Sequence, residues 1–376
     1  MTPTQAMEPQ AQDQALDDLM TPAAVVDLDR MEANLDRLAA YAADHGLSLR
    51  PHVKTHKAPW IAAEQRRRGA VGVTVATPRE AHLMAAVADD ILVAYPTADA
   101  VRTRALLALP DHVRLTIALD SLEALRRLSQ EAERAGRRVD VLVEVDVGMH
   151  RCGVVRPAAA VDLARSAVEL PGVEYRGLMF YPGHIREHVS DQGSKRDALN
   201  DDLARHLQAL ADADMAPGVV SGGSTPTWAS THQLSGVTEF RPGTYVYNDR
   251  ITAEMGACAW DDCAYTILAT IISTAVPGQA VADAGTKTLS GDAIAAPGKD
   301  GYGVVLGHPE VVVSRRSEEH GILDLSRSDW RPAVGERVRI IPNHVCVSVN
   351  LQPRLWGVRG ERVVSSWPNE GRGWSP

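Results

Sequence analysis

Three stretches of the sequence carry side chains that could do chemistry together. The first is Arg50-Pro51-His52-Val53-Lys54-Thr55-His56-Lys57, with Lys54 inside a run of β character. A lysine facing inward there is costly unless it is paired or chemically used, and a neutral lysine amine forms a Schiff base with a carbonyl. A surface lysine among other basic residues is the plainer reading, and it suits Lys57. The second stretch is Ser221-Gly222-Gly223-Ser224-Thr225. Two glycines let the backbone approach an anion, and Ser224 and Thr225 add hydroxyls and could open a helix whose N-terminus favours negative charge. A Gly-Gly turn with a Ser/Thr cap would use the same residues. The third is Pro342-Asn343-His344-Val345-Cys346. Two residues apart on a strand, His344 and Cys346 would share a face, and both side chains bind zinc well. Water or substrate oxygens would complete such a shell, which suits a catalytic ion. A buried histidine and a buried thiol on a core strand would look the same.

The elements that must position these residues follow from periodicity. Apolar runs rich in Val, Ile and Leu recur near 47–54, 71–76, 90–95, 113–119, 140–146, 174–181, 217–221 and 238–247. Ala-, Leu- and Arg-rich stretches of helical period lie between them, at 57–68, 78–88, 98–109, 121–136, 157–169 and 195–213, after a first helix at 29–44. Strands alternating with helices in this number predict an α/β fold, a (β/α)8 TIM barrel. A doubly wound sheet is the alternative, and it lacks the expected Gly-x-Gly-x-x-Gly turn. After about residue 260 the helical pattern gives way to short alternating runs and Gly/Pro turns, a mostly β domain. The expected division is an N-terminal arm at 1–20, a barrel at 21–258 and a β domain at 259–376.

In such a barrel the reactive groups gather at the C-terminal strand ends, with phosphate sites after strands seven and eight. Lys54 ends strand one, Thr77 strand two, Tyr181 and His184 strand six, and Tyr247 strand eight; Arg151 follows strand five. The Gly222-Gly223 segment follows strand seven, which favours the phosphate reading. A lysine aldolase without cofactor would explain Lys54 alone. Lysine and phosphate loop together predict pyridoxal 5'-phosphate.

The Arg-Pro-His-Val-Lys-Thr-His-Lys and Pro-Asn-His-Val-Cys stretches resemble the D-threonine aldolase / D-serine dehydratase family, within the alanine-racemase-like, fold-type III pyridoxal-phosphate enzymes. The resemblance runs from Thr21-Pro22 to the end of the chain. It implies that Lys54 forms the Schiff base with the cofactor. It implies that Gly222 and Gly223, with Ser221, Ser224 or Thr225, hold the phosphate, and that Arg151 and Tyr181 surround the pyridine ring. Thr77 and Tyr247 complete the expected cofactor set, and His344 with Cys346 would hold a divalent metal (zinc, manganese or magnesium). His184 is the expected catalytic base, with His188 as its alternative. The implied substrate is a small D-β-hydroxy-α-amino acid, cleaved by retro-aldol reaction to glycine and an aldehyde. The alternative is a D-serine or D-threo-3-hydroxyaspartate dehydratase, releasing keto acid and ammonia. A racemase would need a second base such as Tyr265 or Tyr302, and has no use for the His-x-Cys pair. A homodimer is expected by analogy with enzymes of this fold.

Composition narrows the classes further. The 376 residues carry a net charge of -9, which argues against a nucleic-acid surface. No apolar run approaches the roughly 18 residues that span a bilayer, so no membrane partner is expected. The first twenty residues contain no Lys or Arg and no apolar core, so they read as a disordered or loosely docked arm rather than a secretory signal. The four cysteines are then expected as reduced thiols in a cytoplasmic enzyme.

Overall fold

The structure, a computed structural model, describes residues 9–294 and 300–373. In chain order it runs β1 (Gln10–Ala15), β2 (Ala23–Asp27), α1 (Leu28–Asp44), β3 (Ser48–Leu49), α2 (Pro59–Arg67), β4 (Val73–Val75), α3 (Pro78–Met84), β5 (Asp90–Val93), α4 (Ala100–Leu107), β6 (Arg114–Leu119), α5 (Leu122–Arg134), β7 (Val139–Glu144), α6 (Pro157–Glu169), β8 (Val173–Met179), α7 (Gly193–Asp212), β9 (Val219–Gly222) and β10 (Glu239–Phe240). There follow α8 (Arg250–Glu254), β11 (Tyr265–Ser273), β12 (Gln279–Ala282), β13 (Gly303–Val305), β14 (His308–Arg316), β15 (Gly321–Asp324), β16 (Arg337–Pro342), α9 (Val345–Leu351), β17 (Arg354–Arg359) and β18 (Arg362–Pro368). Contacts divide the described residues into two units, one of residues 36–54 and 59–243, the other of residues 9–35, 55–58 and 244–373.

The first unit is the barrel. Eight strands run in the order β3-β10-β9-β8-β7-β6-β5-β4, all neighbours parallel. The ends of that order meet. Val71 and Thr74 donate to the carbonyls of Leu49 and Pro51 at 2.8 Å, Val53 donates to Thr74 at 2.9 Å, and His52 bridges Thr74 in parallel. The helices begin where local chemistry starts them: the side chains of Asp99 and Ser121 accept from the N–H groups of Arg102 and Ala124, and Pro157 opens α6. On α5, Leu125, Leu128 and Ala132 recur at helical spacing and are buried against the strands.

Strand alternation fills the barrel in layers. On β7, Val139, Val141 and Val143 face the helices, while Asp140, Leu142 and Glu144 share the other face. At the N-terminal end a charged layer is paired internally: Arg50 donates to Glu239 and Asp90 at 2.6 Å, and Arg114 to Asp140 at 2.6 Å. Above it Leu92, Ala118, Leu142 and Met179 pack together. The C-terminal end is left for a cavity.

The second unit holds an antiparallel-rich sheet of order β1-β18-β17-β2-β11-β12-β15-β14-β13-β16, with β11 also pairing β16, so the sheet curls back on itself. Here the structure corrects the sequence reading. Residues 10–15 are not a loose arm but an edge strand against β18, anchored by buried Leu16 and Leu19; residues 1–8 lie outside the described residues. Strand β2 also belongs to this sheet, between β17 and β11. The boundary between the units falls at 243/244 rather than 258/259. The mostly β character expected after residue 260 is borne out, β11 to β18 filling the region with α9 between β16 and β17. Among the described residues no helix is long and apolar enough to cross a membrane.

Candidate active site

At the C-terminal end of the barrel the strand ends enclose a cavity of about 320 Å³. His52 and Lys54 follow β3, Tyr95 follows β5, Glu144 ends β7, and Tyr181 and Arg241 follow β8 and β10. Arg50 is buried at the base, His52 makes an isolated parallel bridge to Thr74, and Lys54 stands in the turn 53–56 that follows, at the mouth. Lys54 is exposed. The Arg151 guanidinium lies over the Tyr181 ring, 5.0 Å from its centre.

Two cavity residues that sequence reasoning missed stand beside these. Burial pushes the Glu144 carboxyl up to about 7, opposed by Arg241 and Arg151 and helped by Asp120 and Asp146. Burial also lowers Arg241, to about 10, although Glu239 and Glu144 oppose it. One amino group of Arg241 donates to the Phe180 carbonyl at 2.6 Å, which fixes the guanidinium. The only signal in sequence was a charged residue ending an apolar run at the catalytic end of a barrel strand.

The loop after β9 has the character of an anion cradle. Gly223 has φ +86, and a side chain there would meet the Phe240 ring at 2.6 Å; at Gly222 it would meet the Phe180 ring at 2.1 Å. Both glycines are buried, and the N–H groups of Gly223 and Ser224 have no acceptor among the described residues. Buried backbone donors are almost always paired, so these two fit an anionic group. Ser224 precedes the 3-10 turn Thr225–Gln233, and its hydroxyl meets that of Thr227 at 3.0 Å. The Ser221 hydroxyl is not available for a phosphate. It donates to Glu239 at 2.5 Å, inside the barrel.

In the second unit His344 and Cys346 are brought together, though not on a strand. His344 caps α9 and Cys346 lies in its first turn, yet the two side chains are within hydrogen-bond reach. His344 Nδ1 donates to Asp249 Oδ2 at 3.0 Å, and the Val345 N–H donates to the same oxygen at 3.1 Å. The Asp249 side chain is fully buried and also caps α8 through the Thr252 N–H at 2.9 Å. With Nδ1 engaged, Nε2 is the nitrogen left for a metal, the usual carboxylate–histidine arrangement. The Thr55 hydroxyl lies 3.3 Å from Cys346 Sγ. Asn343 holds the segment in place, donating to the carbonyls of Gly301 at 2.7 Å and Asp292 at 2.8 Å. Among the described residues no group of three or more His, Cys, Asp or Glu side chains is arranged for a metal, so the donors here are the His344–Cys346 pair. Tyr247 is buried and its hydroxyl has no partner among the described residues; burial pushes the phenol well up, which keeps it a donor.

Other expected residues serve differently. The Thr77 hydroxyl caps α3, accepting from the Glu80 N–H at 3.2 Å. His184 is not among the residues lining the cavity; it packs on Gly148, and burial and Lys195 lower its pKa against Asp146 and Glu187, so the ring is neutral at neutral pH. His188 is an exposed cap that accepts from the Ser190 N–H at 3.3 Å. Lys57, expected on the surface, is buried and donates to the Gly371 carbonyl at 3.1 Å. His56 is buried and accepts from the Ala58 N–H at 3.1 Å. The Tyr265 hydroxyl is buried against Ser348 at 2.9 Å, and Tyr302 is covered by Arg316, 4.0 Å from its ring centre.

The profile described as alanine racemase, N-terminal domain, matches residues 26–250, and a serine dehydratase domain matches residues 264–358. With the barrel and its cavity lysine, this defines an alanine-racemase-like, fold-type III pyridoxal-phosphate enzyme. The D-threonine aldolase of Arthrobacter sp. is 32% identical over 365 residues, covering 94% of this chain and 93% of its own. The D-threo-3-hydroxyaspartate dehydratase of Delftia sp. (strain HT23) is 34% identical over 369 residues, covering 93% and 97%. The crystal structure of D-threonine aldolase from Filomicrobium marinum matches with a TM-score of 0.90 at 31% identity, covering 98% of this chain and 99% of that chain. The chain belongs to the D-threonine aldolase / D-serine dehydratase family.

Proposed function

We propose that this chain is a pyridoxal-phosphate- and metal-dependent lyase that cleaves small D-β-hydroxy-α-amino acids to glycine and an aldehyde. The observation that carries the reading is Lys54, exposed at the mouth of a barrel cavity in a chain matched over 94% of its length by a lyase of this kind. Bound pyridoxal phosphate supplies an electron sink for the carbanion left at Cα. A divalent ion supplies a Lewis acid that acidifies the β-hydroxyl. Lys54 would hold the cofactor, and Arg151 and Tyr181 would orient its ring. The Gly223 and Ser224 N–H groups, with Gly222, Thr225 and the Tyr247 hydroxyl, would take the phosphate. Thr77 and Ser221 support the site only through the structure they cap or pair. His344 Nε2 and Cys346 Sγ would hold the metal, with zinc, manganese and magnesium the ions to test. His184, neutral at its ring, is the proposed acceptor of the hydroxyl proton.

A dehydratase reading is supported by the Delftia relative, which at 34% is the most identical of the three enzymes named above. The same residues would serve it, with the Lys54 amine taking the Cα proton instead. Incubating purified protein, pyridoxal phosphate and one divalent metal with D-threonine, and separately with D-serine, separates the two. Glycine with acetaldehyde supports the aldolase; keto acid with ammonia supports the dehydratase and overturns the aldolase. A homodimer and a cytoplasmic location belong to the same proposal, and light scattering of the purified protein checks the first.

A further inference from the structure

Glu144 ends β7 on the inward face and lines the barrel cavity, yet the chemistry above makes no use of it. Glu144 is 3% exposed, and one carboxylate oxygen, Oε2, is buried with no hydrogen-bond partner among the described residues. Arg241, 6% exposed, lines the same cavity, and its Nε is likewise buried with no partner among the described residues. The Phe180 carbonyl anchors the Arg241 guanidinium from behind. A carboxyl and a guanidinium thus meet at one cavity with hydrogen-bonding capacity that the described residues do not satisfy. Unsatisfied buried polar groups cost free energy and mark sites that a ligand completes.

We propose that Glu144 is a positioning residue for the aromatic group bound in the cavity, acting through the charge that Arg151 and Arg241 present to it. As a neutral acid Glu144 leaves both guanidiniums facing the bound ring with full positive charge. As a carboxylate it cancels part of that charge and draws the guanidiniums toward itself. The charged groups that bear on it are Arg241 after β10, Arg151 and Asp146 in the segment after β7, and Asp120 after β6. Lys54, His52 and Cys152 share the cavity. Burial holds the carboxyl at about 7, so both forms are populated near neutral pH. This inference rests on the cofactor reading for the identity of the ring.

Two measurements test it on the full-length protein, comparing the wild type with Glu144→Gln, which cannot ionise, and Glu144→Asp, which can. In the first, pyridoxal phosphate is titrated in across neutral pH, reading its dissociation constant and the absorbance of the bound form. The expected result is an inflection in both that Glu144→Gln loses and Glu144→Asp restores. A merely structural glutamate would change the affinity of Glu144→Gln without removing the inflection. The second needs no cofactor. Cys152 lies in the same cavity, and the Glu144 charge helps raise its thiol pKa, after burial itself. Alkylation of Cys152 by iodoacetamide, followed on its own peptide by mass spectrometry, should be several-fold faster in Glu144→Gln at mildly alkaline pH. Unchanged Cys152 rates, or a wild-type pH profile in Glu144→Gln, overturn the proposal. Failure of every variant to bind pyridoxal phosphate overturns the cofactor reading instead, and the Cys152 rates then decide the role of Glu144.

Discussion

The His344 imidazole donates through Nδ1 to the fully buried Asp249 carboxylate at 3.0 Å, and 95 residues of chain separate the two. This bond fixes the tautomer and the ring orientation of the proposed metal ligand, and the Val345 N–H shares the same oxygen. Replacing that oxygen with an amide NH2 removes an acceptor from both donors. Asp249→Asn is therefore expected to lower metal affinity about 10- to 100-fold. Competition with a chelating dye, for zinc and for manganese, measures this, and an unaltered affinity would show that Asp249 only caps α8. The thermal midpoint should fall as well, because the buried Val345 N–H loses its acceptor, while the Asn oxygen still accepts from the Thr252 N–H and keeps the cap of α8.

Lys54→Ala separates cofactor attachment from folding. Lys54 is exposed at the cavity mouth, so its removal leaves the barrel core untouched. The expected outcome is loss of retained pyridoxal phosphate through gel filtration and loss of turnover, with the circular dichroism spectrum and the unfolding midpoint within error of wild type. Retention of the cofactor by Lys54→Ala would move the covalent attachment to another residue.

Gly223→Ala tests the loop after β9. The new methyl would sit at φ +86 and 2.6 Å from the Phe240 ring, so both backbone and ring must shift. Over-packing of this kind costs about 1–3 kcal/mol. If the Gly223 and Ser224 N–H groups hold the phosphate, wild type should bind pyridoxal phosphate far more tightly than pyridoxal, and Gly223→Ala should shrink that ratio. Equal ratios in the two proteins would mean that the glycines serve only the packing of Phe180 and Phe240.

The barrel was legible because strands buried on both sides read as apolar runs, and α6 carries Pro157 at its first turn. Lys54 was legible because a lysine at a barrel strand end has few other uses. The reasons for the misses are equally local. Glu144 closes the run Val-Asp-Val-Leu-Val-Glu, and nothing in those letters separates a cavity-facing acid from one that ends a strand. Arg50 stands in the same short motif as Lys54, but its role is to bind Asp90 and Glu239 at the barrel base. Helix α9 has the sequence Val-Cys-Val-Ser-Val-Asn-Leu, rich in β-branched residues that favour strands, and tertiary context overrides the preference. Residues 10–15 pair with a strand more than three hundred residues away, a partner no local pattern announces.

The buried Glu144 also predicts how stability depends on pH. Burial raises its carboxyl from 4.5 to about 7, so the folded protein holds a proton that the unfolded chain has lost. Between those values the native state binds more protons than the unfolded state, and stability falls as pH rises. The contribution is fully present below about pH 4.5 and gone above about pH 7, a difference of about 3 kcal/mol. Glu144→Gln keeps the shape and the neutral hydrogen-bonding character but cannot ionise. It should therefore be the more stable protein at about pH 8, and its advantage should shrink toward zero as pH falls to about 4. Denaturant unfolding of cofactor-free protein at several pH values measures the difference. A pH-independent gap between the two proteins would mean that Arg241 and Arg151 hold Glu144 as a carboxylate throughout, with desolvation the smaller effect.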